Sequence, residues 1–134
     1  MLLDVFYMFQ QIYYLWGLIR WKKRLISSYD EINDIFVGKV DGENGFYADF
    51  DISDGIFLGI NKDNCPNSIY VSDASRVLNV SKQTLENSDV KITVSCDSTC
   101  LYFSMFIGNL HICSYRCKNI FKIPFIDFEM DSNY

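Results

Sequence analysis

From Met1 to Ile19 the chain reads MLLDVFYMFQQIYYLWGLI, apolar but for Asp4, Gln10, Gln11 and Gly17, and RWKKR follows at once. A run of this kind must leave water, so either the rest of the chain covers it or it enters lipid. It does not read as a secretory signal, because the cations follow the apolar run and no small-residue cleavage site is visible. As a membrane span it approaches the ~20 residues a bilayer needs. Its Asp and two Gln are costly in hydrocarbon, while the Trp and the basic flank suit an interface. As a core helix it needs a sheet on one side and loops or a second subunit on the other. The first expectation is therefore a long apolar helix over residues 1–28, capped by Asp4. Arg20, Lys22, Lys23 and Arg24 would sit where a helix dipole favours cations, and Phe6, Phe9, Tyr13, Trp16 and Trp21 would face a sheet or a membrane.

With 134 residues, 49% hydrophobic, two prolines and seven glycines, the composition is that of one folded domain over residues 1–134. A chain this long buries about two-thirds of its unfolded surface, enough for a core without disulfide or metal staples. The net charge of −5 argues against broad neutralisation of nucleic-acid phosphates. The charge is unevenly placed. Residues 1–24 set Arg20, Lys22, Lys23 and Arg24 against Asp4 alone, and the remainder is acidic. Between Asp30 and Asp63 the acids Asp30, Glu31, Asp34, Asp41, Glu43, Asp49, Asp51, Asp54 and Asp63 meet only Lys39 and Lys62, so a cationic surface would be steered there.

From residue 34 to 128 the pattern changes to short runs rich in Val, Ile, Phe and Tyr, punctuated by Gly, Asn and Asp: IFVGKV, FYADFDI and IFLGI are strands by this reading. Residues 72–87 read as a helix, with Ser72 or Asp73 as cap and Ala74, Val77, Leu78 and Leu85 as its apolar positions. Gly108-Asn109 between LYFSMFI and LHICSYR signals a two-residue hairpin pairing Ile107 with Leu110 and, counting outward, Cys100 with Cys117. If Asp97-Ser98-Thr99 closes the preceding hairpin, Cys96 lies opposite Cys100. Three cysteines then share a row and a face with Val94, Tyr102, Phe106, His111 and Cys113. Both faces of that sheet are apolar and want cover, for which the N-terminal helix is the candidate. The fold class expected is α+β: a long apolar N-terminal helix packed on a mainly antiparallel sheet, with a second short helix.

The chemical inventory is thin. Cys96, Cys100, Cys113, Cys117 and His111 are the candidate zinc ligands, but the expected register brings together three thiols and leaves Cys113 and His111 farther along the strand. Opposed strand cysteines also meet the separation a disulfide requires, while an odd count of five and the lack of an export signal favour free thiols. His111 is the single histidine, so any nucleophile–base pair must run through it. Asp49, Asp51, Asp54 and Gly55 approach a calcium loop, but the glycine is one place late and Ile60 stands where a bidentate Glu belongs. No phosphate loop or dinucleotide fingerprint occurs, and no cofactor is expected.

Ala74-Ser-Arg-Val-Leu-Asn-Val-Ser-Lys-Gln-Thr-Leu85 resembles the helix-turn-helix core of bacterial DNA-binding proteins, with Ala74, Leu78, Asn79, Val80, Ser81 and Thr84 at the family's recurring offsets. The resemblance implies DNA binding through residues 74–88, with Arg76 and Lys82 as the cations.

The functional expectation is a non-enzymatic, acidic protein-binding module of inhibitor or immunity type. Asp41, Glu43, Asp49, Asp51 and Asp54 would steer a basic protein partner, and Phe46, Tyr47 and Phe50 would anchor it. The location expected is cytoplasmic. A membrane-associated protein held by residues 1–24 is the alternative, and DNA binding a third.

Overall fold

A computed structural model of the chain describes residues 21–43, 45–123 and 127–133. Five strands come first: β1 (Trp21–Asp30), β2 (Ile35–Val40), β3 (Ala48–Ser53), β4 (Ile56–Ile60) and β5 (Pro66–Val71). Two short helices follow, α1 (Ala74–Val77) and α2 (Lys82–Asn87), and then β6 (Val90–Cys96), β7 (Cys100–Ile107), β8 (Leu110–Lys118) and β9 (Asp127–Asp131). The strands join one sheet in the order β3-β4-β5-β2-β1-β9-β6-β7-β8. Every pairing is antiparallel except β1 with β9.

The two edges, β3 and β8, come round to meet each other. The Cys117 thiol reaches the carbonyl of Ile52 at 3.5 Å, and Phe121, just beyond β8, packs edge-on against Phe50 of β3 with ring centroids 4.8 Å apart. The result is a nearly closed barrel with a seam between an acidic and a basic strand. Alternation along most of the strands, interrupted by bulges, gives the closed sheet an apolar inner face. Phe50, Ile52, Leu58, Ile69, Val71, Ile92, Val94, Leu101, Phe103, Met105, Phe128 and Met130 are all buried in one core. Their neighbours Asp49, Asp51, Lys91, Thr93, Ser104, Ser114 and Arg116 face outward. Gly38 of β2 leaves room inside for Leu25 and Ile69, whose methyls lie 2.8 to 2.9 Å from where a Cβ would stand.

The expected α+β layout is therefore overturned: no long helix covers a sheet, because the sheet covers itself. Residues 21–28, assigned above to the end of a helix, are strand. Leu25 is buried while Lys22, Arg24, Ile26 and Ser28 are exposed, a period of two that a helix cannot satisfy. Ladders to β2 from Leu25 to Asp30 and to β9 from Trp21 to Arg24 fix it. Phe6, Phe9, Tyr13, Trp16 and Arg20 lie outside the described residues.

The cysteine row is also corrected, by two one-residue displacements. The β6–β7 connection is a tight turn in which Asp97 accepts from the amides of Thr99 and Cys100, and its own amide donates to the Cys100 carbonyl. This pairs Cys96 with Leu101 rather than Cys100. The hairpin at Gly108-Asn109 forms as expected and pairs Ile107 with Leu110. A bulge between Met105 and Phe106 then shifts the ladder, so Cys100 meets Lys118 and Cys117 meets Leu101. Each slip turns side chains to the opposite face. The apparent need to cover two apolar faces was an artefact of that register: the true faces are one apolar and one polar.

The segment expected as one helix over 72–87 is two. Asn79, in the left-handed region at φ 54°, breaks it. Ser81 caps α2 by accepting from the Thr84 amide at 3.1 Å, whereas Asp73 makes no side-chain cap for α1. That role falls to Asp34 in the β1–β2 turn. Its carbonyl accepts from the Ala74 amide, and its carboxylate accepts from the Ser75 amide and hydroxyl and from the Tyr29 hydroxyl. The helices thus close one end of the barrel, burying Ala74, Leu78 and Leu85.

Candidate functional site

Three regions of the outer surface concentrate groups that could act on something. The first is the sheet face over β2, β5, β4 and β3. Cross-strand pairing sets Val37 beside Tyr70, Tyr70 beside Phe57 and Phe57 beside Asp51 in one outward row. Val37 and Tyr70 are each about 40% exposed, and the Phe57 and Tyr70 rings lie 6.2 Å apart. The adjacent row runs Lys39, Ser68, Gly59, Asp49. A Cβ on Gly59 would stand 2.0 Å from the Ser68 hydroxyl, so glycine keeps this face flat between the aromatic row and the acids. Asp54, in the turn after β3, is almost fully exposed, with Arg76 4.0 Å away.

Of the residues expected to bind a partner, the structure brings Asp49, Asp51 and Asp54 to this face or its edge. Asp41 is exposed in the turn after β2. Glu43 is engaged inside the fold, bound by Lys23 at 3.2 Å and by the Asn61 amide at 3.2 Å. Phe50 is buried in the core and offers no ring to a partner. Phe46 and Tyr47 are exposed but lie before β3, at the end of the barrel rather than on the acidic face. The aromatics that accompany the acids are Phe57 and Tyr70. They escaped sequence reasoning because sheet order, not chain order, makes them neighbours; the alternation in FYADFDI did carry the message that Phe50 points away from Asp49 and Asp51.

The second region is the barrel end opposite the helices. Trp21 opens β1, Phe46 and Tyr47 precede β3, and Ile120 follows β8; they are 68%, 60%, 58% and 60% exposed. Beneath them the mouth is closed. Asn119 is buried, donating to the carbonyls of Asp97 and Ile123 and accepting from the Ile123 amide at 2.9 Å. Of the basic cluster that opens the described chain, Lys22 pairs with Glu129 and Asp131, and Lys23 pairs with Glu43.

The third is the outer face of β6, β7 and β8. His111 Nε2 lies 2.6 Å from the Ser114 hydroxyl, which lies 2.7 Å from that of Ser104. This is a base beside a hydroxyl, but the imidazole ring packs on Phe106, no carboxylate among the described residues is bonded to it, and both partners stand in open solvent. Acyl-transfer chemistry needs the base oriented by a third group and the developing oxyanion held, and the described residues around His111 supply neither.

The candidate zinc ligands do not assemble. Cys96 is buried in the interior, Cys113 and Cys117 point inward from β8, and Cys100 and His111 point outward. Burial pushes the Cys96 thiol up to about 12 and the Cys113 thiol up to about 11. Both are protonated at neutral pH and poor as ligands or nucleophiles. All five cysteines are free, and among the described residues no group of three or more His, Cys, Asp or Glu side chains is placed to hold a metal. In the segment resembling a helix-turn-helix, Arg76 pairs with Asp73 and Lys82 donates to the Glu31 carbonyl at 3.0 Å. The helices there have four and six residues. Among the described residues no helix is long and apolar enough to cross a membrane.

No protein-family model, curated protein or solved structure matches the chain.

Proposed function

We propose that the protein is a non-enzymatic binding module that docks a basic protein on the outer face of β3, β4, β5 and β2. The observation that carries this reading is the cross-strand row Val37, Tyr70, Phe57, Asp51 with Asp49 in the next row. It combines half-exposed apolar anchors with carboxylates on one flat surface. Anchors of this kind supply the hydrophobic part of an interface, and the rim acids steer a cationic partner and exclude acidic ones. The anchors are Tyr70 and Phe57; Asp49, Asp51 and Asp54 provide the steering. The scarcity of oriented base–nucleophile pairs among the described residues supports a binding role over catalysis.

The test is retention of basic proteins from a low-salt lysate on the immobilised full chain, followed by association kinetics with whatever is retained. Reversal of Asp49→Lys and Asp51→Lys together is expected to slow association about tenfold or more, with high salt doing the same to the wild type. Tyr70→Ala is expected to speed dissociation instead. If the charge-reversed chain retains the same proteins at the same rate, the acidic face is not the docking surface.

A further inference from the structure

The acidic sheet face leaves one set of features unused: the exposed hydrophobics at the mouth of the barrel. Phe46 and Tyr47 stand on one side of the β3–β8 seam and Ile120 on the other, while Trp21, four places along the sheet from either edge strand, stands across the mouth. Four large apolar side chains, each more than half exposed, thus ring one end of the molecule. The opposite end exposes Ile32 and Leu110, which sit on separate turns several strands apart. Isolated exposed apolar residues are ordinary; a ring of them with Trp and Tyr is not.

Two further observations say what the ring meets. Residue 20 joins β1 at Trp21, so the apolar run from Met1 to Ile19 is covalently joined to the barrel at this ring. The walls of the barrel turn Lys39, Asp49, Asp51, Lys91, Thr93, Arg116 and Glu129 outward, with Ile26, Val37, Tyr70 and Tyr102 set singly or in short rows among them, unlike the continuous apolar belt of a barrel that spans lipid. Among the described residues the mouth carries the most exposed cluster of aromatic and aliphatic side chains.

We propose that the mouth of the barrel is a docking surface for a phospholipid bilayer, on which the molecule stands end-on with Trp21, Phe46, Tyr47 and Ile120 at headgroup depth. Trp and Tyr suit that depth because each has an apolar body and a polar tip. Lys118 and Lys122 flank Ile120, but Asp41, Asp97 and Asp127 belong to the same end, so the charge around the ring is mixed. Binding is therefore driven by apolar insertion and needs little anionic lipid. In this orientation the acidic face stands roughly upright on the membrane, free to meet a basic partner. This proposal does not rest on that partner and can fail separately from it.

The experiment is flotation of the full chain with phosphatidylcholine vesicles, with and without phosphatidylglycerol. It is paired with fluorescence quenching by bromine-labelled lipid in a variant carrying Trp16→Phe, Trp21→Phe and Ile120→Trp. The single indole then reports on a part of the ring a hundred residues from the N-terminal run. Expected are co-flotation with either lipid, quenching of the indole at position 120, and a loss of roughly tenfold in partitioning for Phe46→Ser, Tyr47→Ser and Ile120→Ser combined. These positions are mostly exposed, so the combined variant should melt as the wild type does, which thermal unfolding checks. A chain that floats with an unquenched indole at position 120 and an unaffected triple variant is held by its N-terminal run alone, and the proposal fails. It fails equally if the full chain stays out of the vesicle fraction, whether as a monomer or as a dimer that the triple variant dissolves.

Discussion

The two ends of the barrel are closed by different means. At one end α1 and α2 lie across the opening and bury Ala74, Leu78 and Leu85; the Asp34 carboxylate ties α1 to the β1–β2 turn, and Lys82 of α2 donates to the Glu31 carbonyl there. At the other the chain closes itself with the Asn119 to Ile123 segment and then displays Trp21, Phe46, Tyr47 and Ile120 to the outside. Apolar side chains serve cohesion at both ends, Leu85 at the first and Ile123 and Phe121 at the second, but the second end adds a set of them that stands outside the core. The contrast separates where the fold is held together from where it meets other things.

The sharpest way to break that contrast is to remove one apolar side chain at each end. Leu85→Ala deletes a buried side chain from the helix cap and is expected to cost about 2 to 4 kcal/mol in urea unfolding. Ile120→Ala at the mouth, 60% exposed, is expected to stay within about 0.5 kcal/mol of the wild type. Equal losses would mean that the mouth is as much a part of the core as the cap is, and the assignment of the ring to an interface would have to be withdrawn.

Asp34 gives the next largest effect and a pH signature. Burial raises its pKa, but hydrogen bonds from Ser75 and Tyr29 outweigh burial and hold the carboxyl below the ordinary carboxylate range. Burial first, and then the hydrogen bond to Asp34, pushes the Tyr29 hydroxyl up to about 12. A carboxyl whose pKa is depressed on folding contributes stability above its unfolded value, about 3.9, and loses it as pH falls through the folded value. Asp34→Asn is therefore expected to be less stable than the wild type at pH 7, by on the order of 1 to 2 kcal/mol, with the gap shrinking below about pH 4. Urea midpoints of the two chains at neutral and acid pH decide it. A gap that persists unchanged in acid would show that shape, not charge, is what Asp34 supplies.

How much of this could be read from the chain differs between the same two regions. The local signals were legible in part: the hairpin at Gly108-Asn109, the strand runs of the body and a helical stretch in the seventies and eighties formed, while the cap expected at Ser72 or Asp73 gave way to Asp34 for α1 and Ser81 for α2. What was not legible depended on partners distant in sequence. Asp34 caps α1 from forty-one residues upstream of Ser75, so no local pattern announces it. Residues 21–28 look helical beside an apolar run and become strand because β2 and β9 supply ladders on both sides. Of the proposed docking surface, Asp49, Asp51 and Asp54 stood out as an acidic cluster. The Tyr70 and Phe57 that complete it became visible only when sheet order set them side by side.

The cysteines test the register on which this division of inside from outside depends, with the smallest effect on the fold itself. In the row expected from counting, Cys96, Cys100 and Cys117 share a face and should share a fate. In the observed ladder Cys96 meets Leu101 inside the core, and Cys100 meets Lys118 on the outside. The Cys96 thiol is therefore blocked twice: access requires opening β6, and burial holds it protonated at a pKa of about 12. Alkylation of the native chain near pH 8, read by mass spectrometry of peptides, should modify Cys100 first and Cys96 last, with rates at least about a hundredfold apart. Comparable rates would put the two thiols on one face after all. That would return the sheet to two apolar surfaces in need of cover, and the polar outer wall, which frees both the acidic face and the mouth for other roles, would no longer follow.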